Sequence, residues 1–245
     1  LAGTQHGVWA FTHRAFYENC LNPADQRPLM RALLGHLALW VGKGVLPPDN
    51  VYPRIDAGTL GTVAIWQNEF PQLPNLRLPD HNLAPPRLDH GPRWERGIVD
   101  YVPPKFGPSY VTLIPTPDAD GVDRGGLRLP EIAAPLGTYL GWNLRRAKFG
   151  ASKFIGRWSG SFVPFSVNEL ERIETGDPRV SLEGRYGDRS GYLEKVRDAS
   201  RKLHARGFLL SEDLQRINKR AGQFYDRLIA RDLTSDSCAY TVSHN

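Results

Sequence analysis

The sequence lacks a long hydrophobic run, and no stretch approaches the roughly 20 apolar residues that a membrane-spanning helix needs. We therefore expect no membrane span. It also lacks the repeats of collagen or a coiled coil, and an apolar fraction of 40% argues against disorder along the whole chain. Its first residues have no basic segment followed by an apolar one, so they do not indicate a signal peptide, and the cellular compartment stays unknown. A chain of 245 residues can form one large domain or two small ones.

Cysteine is scarce, with only Cys20 and Cys238 in the chain. Two residues are too few for a disulfide scaffold or a zinc site, and whether they form one bridge is left open. None of the seven histidines has a His-x-x-x-His or His-Glu-x-x-His spacing, so we expect no metal centre. No cofactor is implied either.

Positive charge is in slight excess, with a formal net charge of +5. Most of it lies in residues 185–245, which have 12 basic and 8 acidic side chains. Acidic residues are interleaved there, as on a solvated helix surface, and no nucleic-acid-binding motif is present. We expect no nucleic-acid partner.

Composition divides the chain into four segments. Residues 1–46 contain a Gly-rich loop and a helix, and residues 47–135 form an extended, Pro-rich wrapping segment with short strands. Residues 136–232 contain a Gly- and aromatic-rich loop followed by helices, and residues 233–245 form a flexible tail. The second segment contains 16 of the 20 prolines, which excludes long helices and central strands.

Several local patterns predict individual elements. Asp25 is a candidate cap for a helix that ends near Gly42 and Gly44. One face of this helix is apolar and suited to packing on a sheet or another helix; it contains Leu29, Leu33, Leu37, Trp40 and Val41.

Short strands are predicted at Gly97–Val102 and Tyr110–Ile114. A turn at Asp118–Gly121 would join the second of these to a strand at Gly126–Leu129.

The C-terminal region is predicted to be helical. Ser166-x-x-Glu169 has a capping-box pattern, and Gly176 ends that helix. A short helical turn follows at Ser181–Tyr186. A longer helix stops at Gly207, and a last one is capped by Ser211.

His6 is the histidine best placed for chemistry. It lies in a short polar turn between Gly3 and Gly7, and glycines allow such a turn to approach a ligand closely. A general base in a hydrolase needs an imidazole on a loop, free to reach a nucleophile. On spacing alone, a purely structural loop histidine is the alternative.

Longer motifs link the chain to a known family. They include Ala2-Gly-Thr-Gln-His-Gly7, Tyr52-Pro-Arg-Ile-Asp-Ala-Gly-Thr-Leu60, Leu136-Gly-Thr-Tyr-Leu-Gly-Trp-Asn-Leu-Arg145 and Gly160-Ser-Phe-Val-Pro-Phe165. With these motifs the chain resembles the C-terminal part of large bacterial α/β-hydrolase-domain proteins.

The resemblance implies an α/β fold class and a C-terminal piece of the α/β-hydrolase fold. That piece comprises the end of the last strand, the His loop and a terminal helix, before the Pro-rich and helical regions. It also implies that His6 is the base of a serine triad, and that the motif containing Tyr139, Trp142 and Asn143 lines a substrate pocket or locks domains together. A purely structural role for that motif is equally open.

The family's nucleophile motif, Gly-x-Ser-x-Gly, does not occur in the sequence. In Gly156-Arg-Trp-Ser-Gly160 two residues, instead of one, separate the first glycine from Ser159, and none separates Ser159 from Gly160, so the spacing does not match. We therefore expect the nucleophile and the acid upstream or on another chain. The sequence would then be a fragment, a cleavage product or a subunit.

These observations predict the C-terminal portion of a serine hydrolase that acts on a small ester or related acyl substrate. Its partner would be the N-terminal hydrolase portion, from the same precursor or a separate chain. The alternative is a non-catalytic interaction module with hydrolase-like architecture. A basic nucleic-acid binder ranks third.

Overall fold

A computed structural model of the protein describes residues 1–6, 16–74, 76–80, 84–156 and 158–230. The described part contains seven strands, seven α-helices and 3₁₀ turns at Trp94–Arg96 and Ala147–Phe149. The strands are β1 (Cys20–Leu21), β2 (Leu60–Thr62), β3 (Pro86–Asp89), β4 (Lys105–Ser109), β5 (Leu113–Pro115), β6 (Gly137–Leu140) and β7 (Ser161–Pro164). The helices are α1 (Arg27–Lys43), α2 (Val63–Glu69), α3 (Pro130–Ala133), α4 (Glu169–Thr175), α5 (Leu182–Tyr186), α6 (Arg189–Ala205) and α7 (Ser211–Ile229).

The central sheet has three strands in the order β1-β7-β6, and both pairings are antiparallel. Its register places Tyr139 of β6 opposite Phe162 of β7. The resemblance implies the end of a strand directly before the His loop, but Leu1 and Ala2 lie outside any strand. The Ala2 amide donates to the Leu127 carbonyl at 3.0 Å. Helices combined with small sheets agree with the α/β class.

The main core lies between this sheet and the C-terminal helices. The rings of Tyr139, Phe162 and Phe224 pack in sequence, with centroids 5.0 and 5.3 Å apart. Tyr192 and Val196 of α6 are fully buried in the same cluster. Because aromatic rings bury large apolar areas, this cluster fixes α6 and α7 against β6 and β7.

The N-cap of helix α1 lies one residue later than predicted. Gln26 is the N-cap, and Asp25 accepts a hydrogen bond from the Arg27 amide at 3.1 Å. Gly44, with φ of 69°, ends the helix as expected. Leu29 is buried, whereas Val41 near the other end is 80% exposed. Only the first half of the predicted apolar face is therefore buried.

The Pro-rich region forms two separate two-stranded ribbons, β2 with β5 and β3 with β4. Every strand in such a ribbon is an edge strand, which is where proline is tolerated. The strand predicted at Gly97–Val102 is wrong, because the Asp100 and Tyr101 amides both donate to the His90 carbonyl. The other predicted strand begins later, at Leu113, and pairs with β2.

The predicted turn at Asp118–Gly121 is confirmed, since the Gly121 amide donates to the Asp118 carbonyl at 2.9 Å. The pairing of β5 with residues 126–129 is wrong. The Asp118 carboxylate accepts the Asp120 and Val122 amides and pairs with Arg128 at 2.6 Å. These contacts hold the turn as a compact loop.

The C-terminal helices agree with the sequence apart from two caps. Helix α4 is capped by Asn168, whose side chain accepts from the Glu171 amide, rather than by Ser166. Ser181 caps α5, and Gly176 ends α4. Ser211 is the first residue of α7, and its N-cap is Leu210. Within the described ranges no helix is long and apolar enough to cross a membrane.

Candidate functional site

The turn that contains His6 is fixed to the body by buried polar contacts. Gly3 has φ of +58°, and its amide donates to Asp123 Oδ2 at 2.9 Å. A Cβ at Gly3 would lie 3.0 Å from the Tyr139 carbonyl oxygen, so the backbone needs glycine here. Burial raises the pKa of Asp123, although the Gly3 amide favours its charged form.

Asn22 joins this turn to the sheet. It is fully buried, and its Nδ2 donates to the Gly3 carbonyl at 2.8 Å and to the Leu140 carbonyl at 3.0 Å. Its backbone amide donates to the Gly160 carbonyl at 3.1 Å. The turn, β6 and the start of β7 are thus connected through one side chain.

Gln5 anchors the residue next to His6. Its carbonyl accepts from Gln26 Nε2 at 2.6 Å, and its side-chain oxygen accepts from the Gly160 amide at 3.3 Å. A Cβ at Gly160 would collide with the Leu140 carbonyl oxygen, so only glycine allows this approach. The residue before His6 is therefore held on both sides.

The His6 side chain itself is exposed. Its ring packs edge-on against Trp158, with the centroids 4.3 Å apart. Trp158 has φ of +73°, an uncommon conformation for a bulky residue. Among the described residues no hydroxyl or carboxylate is hydrogen-bonded to His6. Residues 7–15, which follow it, lie outside the described ranges.

Tyr139 points into the main core, where it is 1% exposed. Within the described structure its hydroxyl has no hydrogen-bond partner, and burial raises its pKa well above the usual value. It borders a cavity of about 30 Å³ that also contacts Asp25, Glu131 and Arg220. Arg220 is paired with Asp25 and lies 3.6 Å from Glu131. The three charged side chains thus lie beside a cavity that is otherwise lined mostly by apolar residues.

Trp142 belongs to a different cluster. Its ring packs near Trp66 with centroids 6.2 Å apart, beside Phe70, Leu73 and Leu140. Two of the candidate substrate-binding residues, Tyr139 and Trp142, therefore lie in separate apolar clusters.

Asn143 is fully buried and uses its amide for backbone contacts. Its Nδ2 donates to the Asn19 and Gly160 carbonyls at 3.1 and 3.2 Å. Its Oδ1 accepts the Leu144 amide at 2.9 Å and the Asn19 amide at 3.3 Å. This pattern gives Asn143 a positioning role in the structure.

The backbone of Gly160 connects the His6 turn to Asn143. Gln5, Asn22 and Asn143 all hydrogen-bond its backbone, and Trp158 two residues earlier contacts His6. Sequence reasoning did not single out Gln5, Asn22 or Asp123. Gln5 and Gly160 lie inside the family motifs Ala2–Gly7 and Gly160–Phe165, and membership in these motifs is the sequence feature that could have identified them. In the described part of the chain no cluster of three or more His, Cys, Asp or Glu side chains could hold a metal ion.

Comparison with known proteins gives one match. A family model described as an alpha/beta hydrolase domain matches residues 2–219. The matched range includes the His6 turn, the central sheet and the first half of α7. No curated protein and no solved structure matches the chain.

Proposed function

Because the chain belongs to the alpha/beta hydrolase domain family, we propose that it takes part in hydrolysis of a small ester or related acyl substrate, with His6 as general base. His6 accepts the proton of an attacking serine hydroxyl as the new bond to the acyl carbon forms. It then returns that proton to the leaving oxygen as the ester bond breaks. Water repeats the cycle on the acyl-enzyme.

The geometry around His6 carries this proposal. Gly3 and Gln5 fix the backbone of the turn through buried hydrogen bonds, while the imidazole stays exposed. A rigid backbone with an accessible ring is what a general base requires. Among the described residues the His6 ring contacts Trp158 edge-on and stays exposed, as approach of a nucleophile and an orienting acid would require.

The nucleophile and the acid are proposed to come from upstream or from another chain, the N-terminal hydrolase portion. The exposed half of α1 supports a contact with such a partner. Leu37 and Trp40 are about half exposed, and Val41 is 80% exposed. Burial of these apolar side chains by a partner would lower the free energy of the complex.

Tyr139, Trp142 and Asn143 are proposed to support the substrate pocket. Because the three side chains lie in different surroundings, each would support the pocket in a different way. Asn143 holds the strand that follows β6, and Trp142 shapes the smaller apolar cluster. Tyr139 keeps a hydroxyl beside a cavity.

The test is labelling of the purified protein with a serine-directed fluorophosphonate probe, combined with denaturing intact-mass analysis. We expect a second polypeptide to take up the probe and to copurify with the 27.5 kDa chain. In that assembly, His6→Ala should lower ester turnover by about 10⁴-fold or more with little change in folding. An unchanged rate would show that His6 is not the base.

Two further variants sharpen the result. His90→Ala is the matched control, because His90 also packs on a tryptophan, Trp94, at 4.4 Å. Its turnover should be unchanged. Ser159→Ala tests whether the serine next to Trp158 supplies the nucleophile. Loss of labelling on this chain in that variant would place the nucleophile here and overturn the partner proposal.

A non-catalytic interaction module is the second candidate. The observation in its favour is the ribbon formed by β3 and β4, where Phe106 of β4 is 75% exposed and Val102, in the connection that leads to β4, is 84% exposed. Together with α1 it offers two apolar surfaces for a partner. A single unlabelled species of 27.5 kDa with no ester hydrolysis would favour this candidate.

A further inference from the structure

A cleft of about 610 Å³ lies between α6 and the segment that leads from β5 to β6. We name it the cationic cleft, and we define it by Arg128, Arg185, Lys195, Lys202 and Arg206. Its volume falls in the range of small-molecule sites, about 300–1,000 Å³. The cleft is separate from the His6 turn and from the cavity beside Tyr139.

The cleft has cationic groups on both walls. Arg128 is neutralised by Asp118 at 2.6 Å, and Arg185 is paired with the carboxylate of Asp120. The cations of the other wall differ: within the described residues Lys195 and Lys202 of α6 have no ionic partner. Arg206, the C-cap of α6, also has none there, and its guanidinium lies 5.2 Å from the centroid of the Phe208 ring. Asp198, the acidic group that borders the cleft, is paired with Arg201 on the same helix.

Lys195 and Lys202 share one face of α6, and Arg206 follows at the C-cap. Their spacing of seven and then four residues corresponds to about two turns and one turn of a helix. With a rise of 1.5 Å per residue, they span roughly 16 Å along the axis. Like charges aligned on one face repel each other, and an anion placed between them relieves this repulsion.

The floor of the cleft is apolar. Leu127, Ala134 and Leu203 are nearly fully buried and contribute to its lining, together with Pro135. Tyr186 donates its hydroxyl proton to the Pro135 carbonyl at 2.7 Å, so that proton is not available to a ligand. The floor therefore favours an apolar body over a polar one.

We propose that the cationic cleft binds an amphipathic organic carboxylate. Its carboxylate lies between Lys195, Lys202 and Arg206, and its hydrocarbon part covers Leu127, Ala134 and Leu203. Lysine and arginine form charge-assisted hydrogen bonds with carboxylate oxygens, whereas an uncharged alcohol gains no such attraction. The proposal does not depend on His6 or on the proposed hydrolysis.

The experiment is calorimetric titration of the purified protein with octanoate, octanol and inorganic phosphate. We expect octanoate to bind at least tenfold more tightly than either of the other two. Affinity should fall as salt is raised, since exposed charges are screened at higher ionic strength. Equal affinity for octanol would overturn the charge assignment, and equal affinity for phosphate would overturn the role of the apolar floor.

Variants locate the binding. Lys202→Met should weaken octanoate binding by up to about fivefold, the range for an exposed ion pair. The double variant Lys195→Met/Lys202→Met should weaken it by roughly tenfold or more if the two contributions add. Lys219→Met is the matched control, because Lys219 is an exposed lysine on α7 that does not border the cleft.

Each outcome bears on the proposal. Equal loss of affinity in the double variant and in Lys219→Met would show that binding depends on the net charge of the protein and not on the cleft, and it would overturn the proposed site. No loss in the double variant would place octanoate elsewhere, for example on the exposed face of α1. Circular dichroism of the variants, which alter exposed side chains, should match that of the parent protein.

Discussion

Replacement of Arg179 by methionine should destabilise the protein more than any exposed ion-pair variant. Arg179 and Asp177 form a buried pair, with side chains 1% and 4% exposed and an Nη2–Oδ2 distance of 2.6 Å. Arg179 also donates to Thr138 Oγ1 at 2.8 Å and to the Val163 and Pro164 carbonyls at 2.9 and 3.0 Å. The guanidinium therefore ties the ends of β6 and β7 together.

The magnitude follows from what the substitution leaves behind. Arg179→Met leaves the Asp177 carboxylate buried without its partner, a loss of about 3–5 kcal/mol for a buried pair. A domain's whole stability is about 5–15 kcal/mol, so the variant would be only marginally folded at the lower end. With a urea dependence of about 2 kcal/mol per M, the unfolding midpoint should fall by about 2 M.

Urea unfolding followed by tryptophan fluorescence measures this shift. The matched control is Arg189→Met, because Arg189 pairs with Asp226 at 2.6 Å on the surface, with side chains 49% and 54% exposed. Its effect should be at most about 1 kcal/mol. The double variant Arg179→Met/Asp177→Asn should recover part of the loss, because it removes the unpaired charge. Equal midpoints for Arg179→Met and Arg189→Met would refute the reasoning.

The pH dependence gives an independent check. Burial raises the pKa of Asp177, but hydrogen bonds and charge from Arg179 outweigh it and hold the pKa below the usual 3.8. A carboxyl whose pKa is lowered in the folded state stabilises the fold above its unfolded pKa and loses that contribution as pH falls through the folded value. The stability difference between parent and Arg179→Met should therefore shrink below pH 3.8.

Three further variants test the surroundings of the candidate site, each by urea unfolding. Asn143→Ala should lower stability by about 2–4 kcal/mol, because it removes four hydrogen bonds, two of them buried and two partly buried, and leaves backbone groups unsatisfied; a loss under 1 kcal/mol would contradict this. Tyr139→Phe should leave stability unchanged or raise it by about 1 kcal/mol, because it removes a buried hydroxyl without a partner; a clear loss would show that the hydroxyl is bonded. Asp123→Asn should be neutral or stabilising at pH 7, since burial raises the pKa of Asp123 and its charged form is disfavoured in the fold. The amide oxygen can still accept from Gly3, and the gain should vanish below pH 3.8, so a gain that persists there would be inconsistent with the charge argument.

Local sequence patterns were sufficient to predict those helices whose position depends on residues within the helix itself. The helices of the C-terminal region and the stop at Gly176 follow from apolar spacing and from a glycine in the left-handed conformation. Cap positions were less accurate. Asn168 rather than Ser166 accepts from the Glu171 amide, and Gln26, the N-cap of α1, makes no side-chain cap hydrogen bond, since its side-chain amide donates to the Gln5 carbonyl.

Strand pairing could not be derived from the sequence. The partner of β5 is β2, about 50 residues earlier, and short strands in a Pro-rich region give no signal for such a distant partner. The same holds for the site residues. The motif containing Tyr139, Trp142 and Asn143 is continuous in sequence, yet these side chains enter two apolar clusters and a hydrogen-bond network.

The sequence by itself determined the family and the helical C-terminal region, and it led to the prediction of His6 as general base, because each depends on residues close together along the chain. Only the tertiary structure decided that Gln5, Asn22 and Asn143 converge on the Gly160 backbone. It also decided that half of α1 stays exposed, and that two lysines of α6 and the arginine at its C-cap border the same cleft as apolar residues from other segments. These features arise from long-range packing, in which burial and hydrogen bonding are shared by segments more than 100 residues apart.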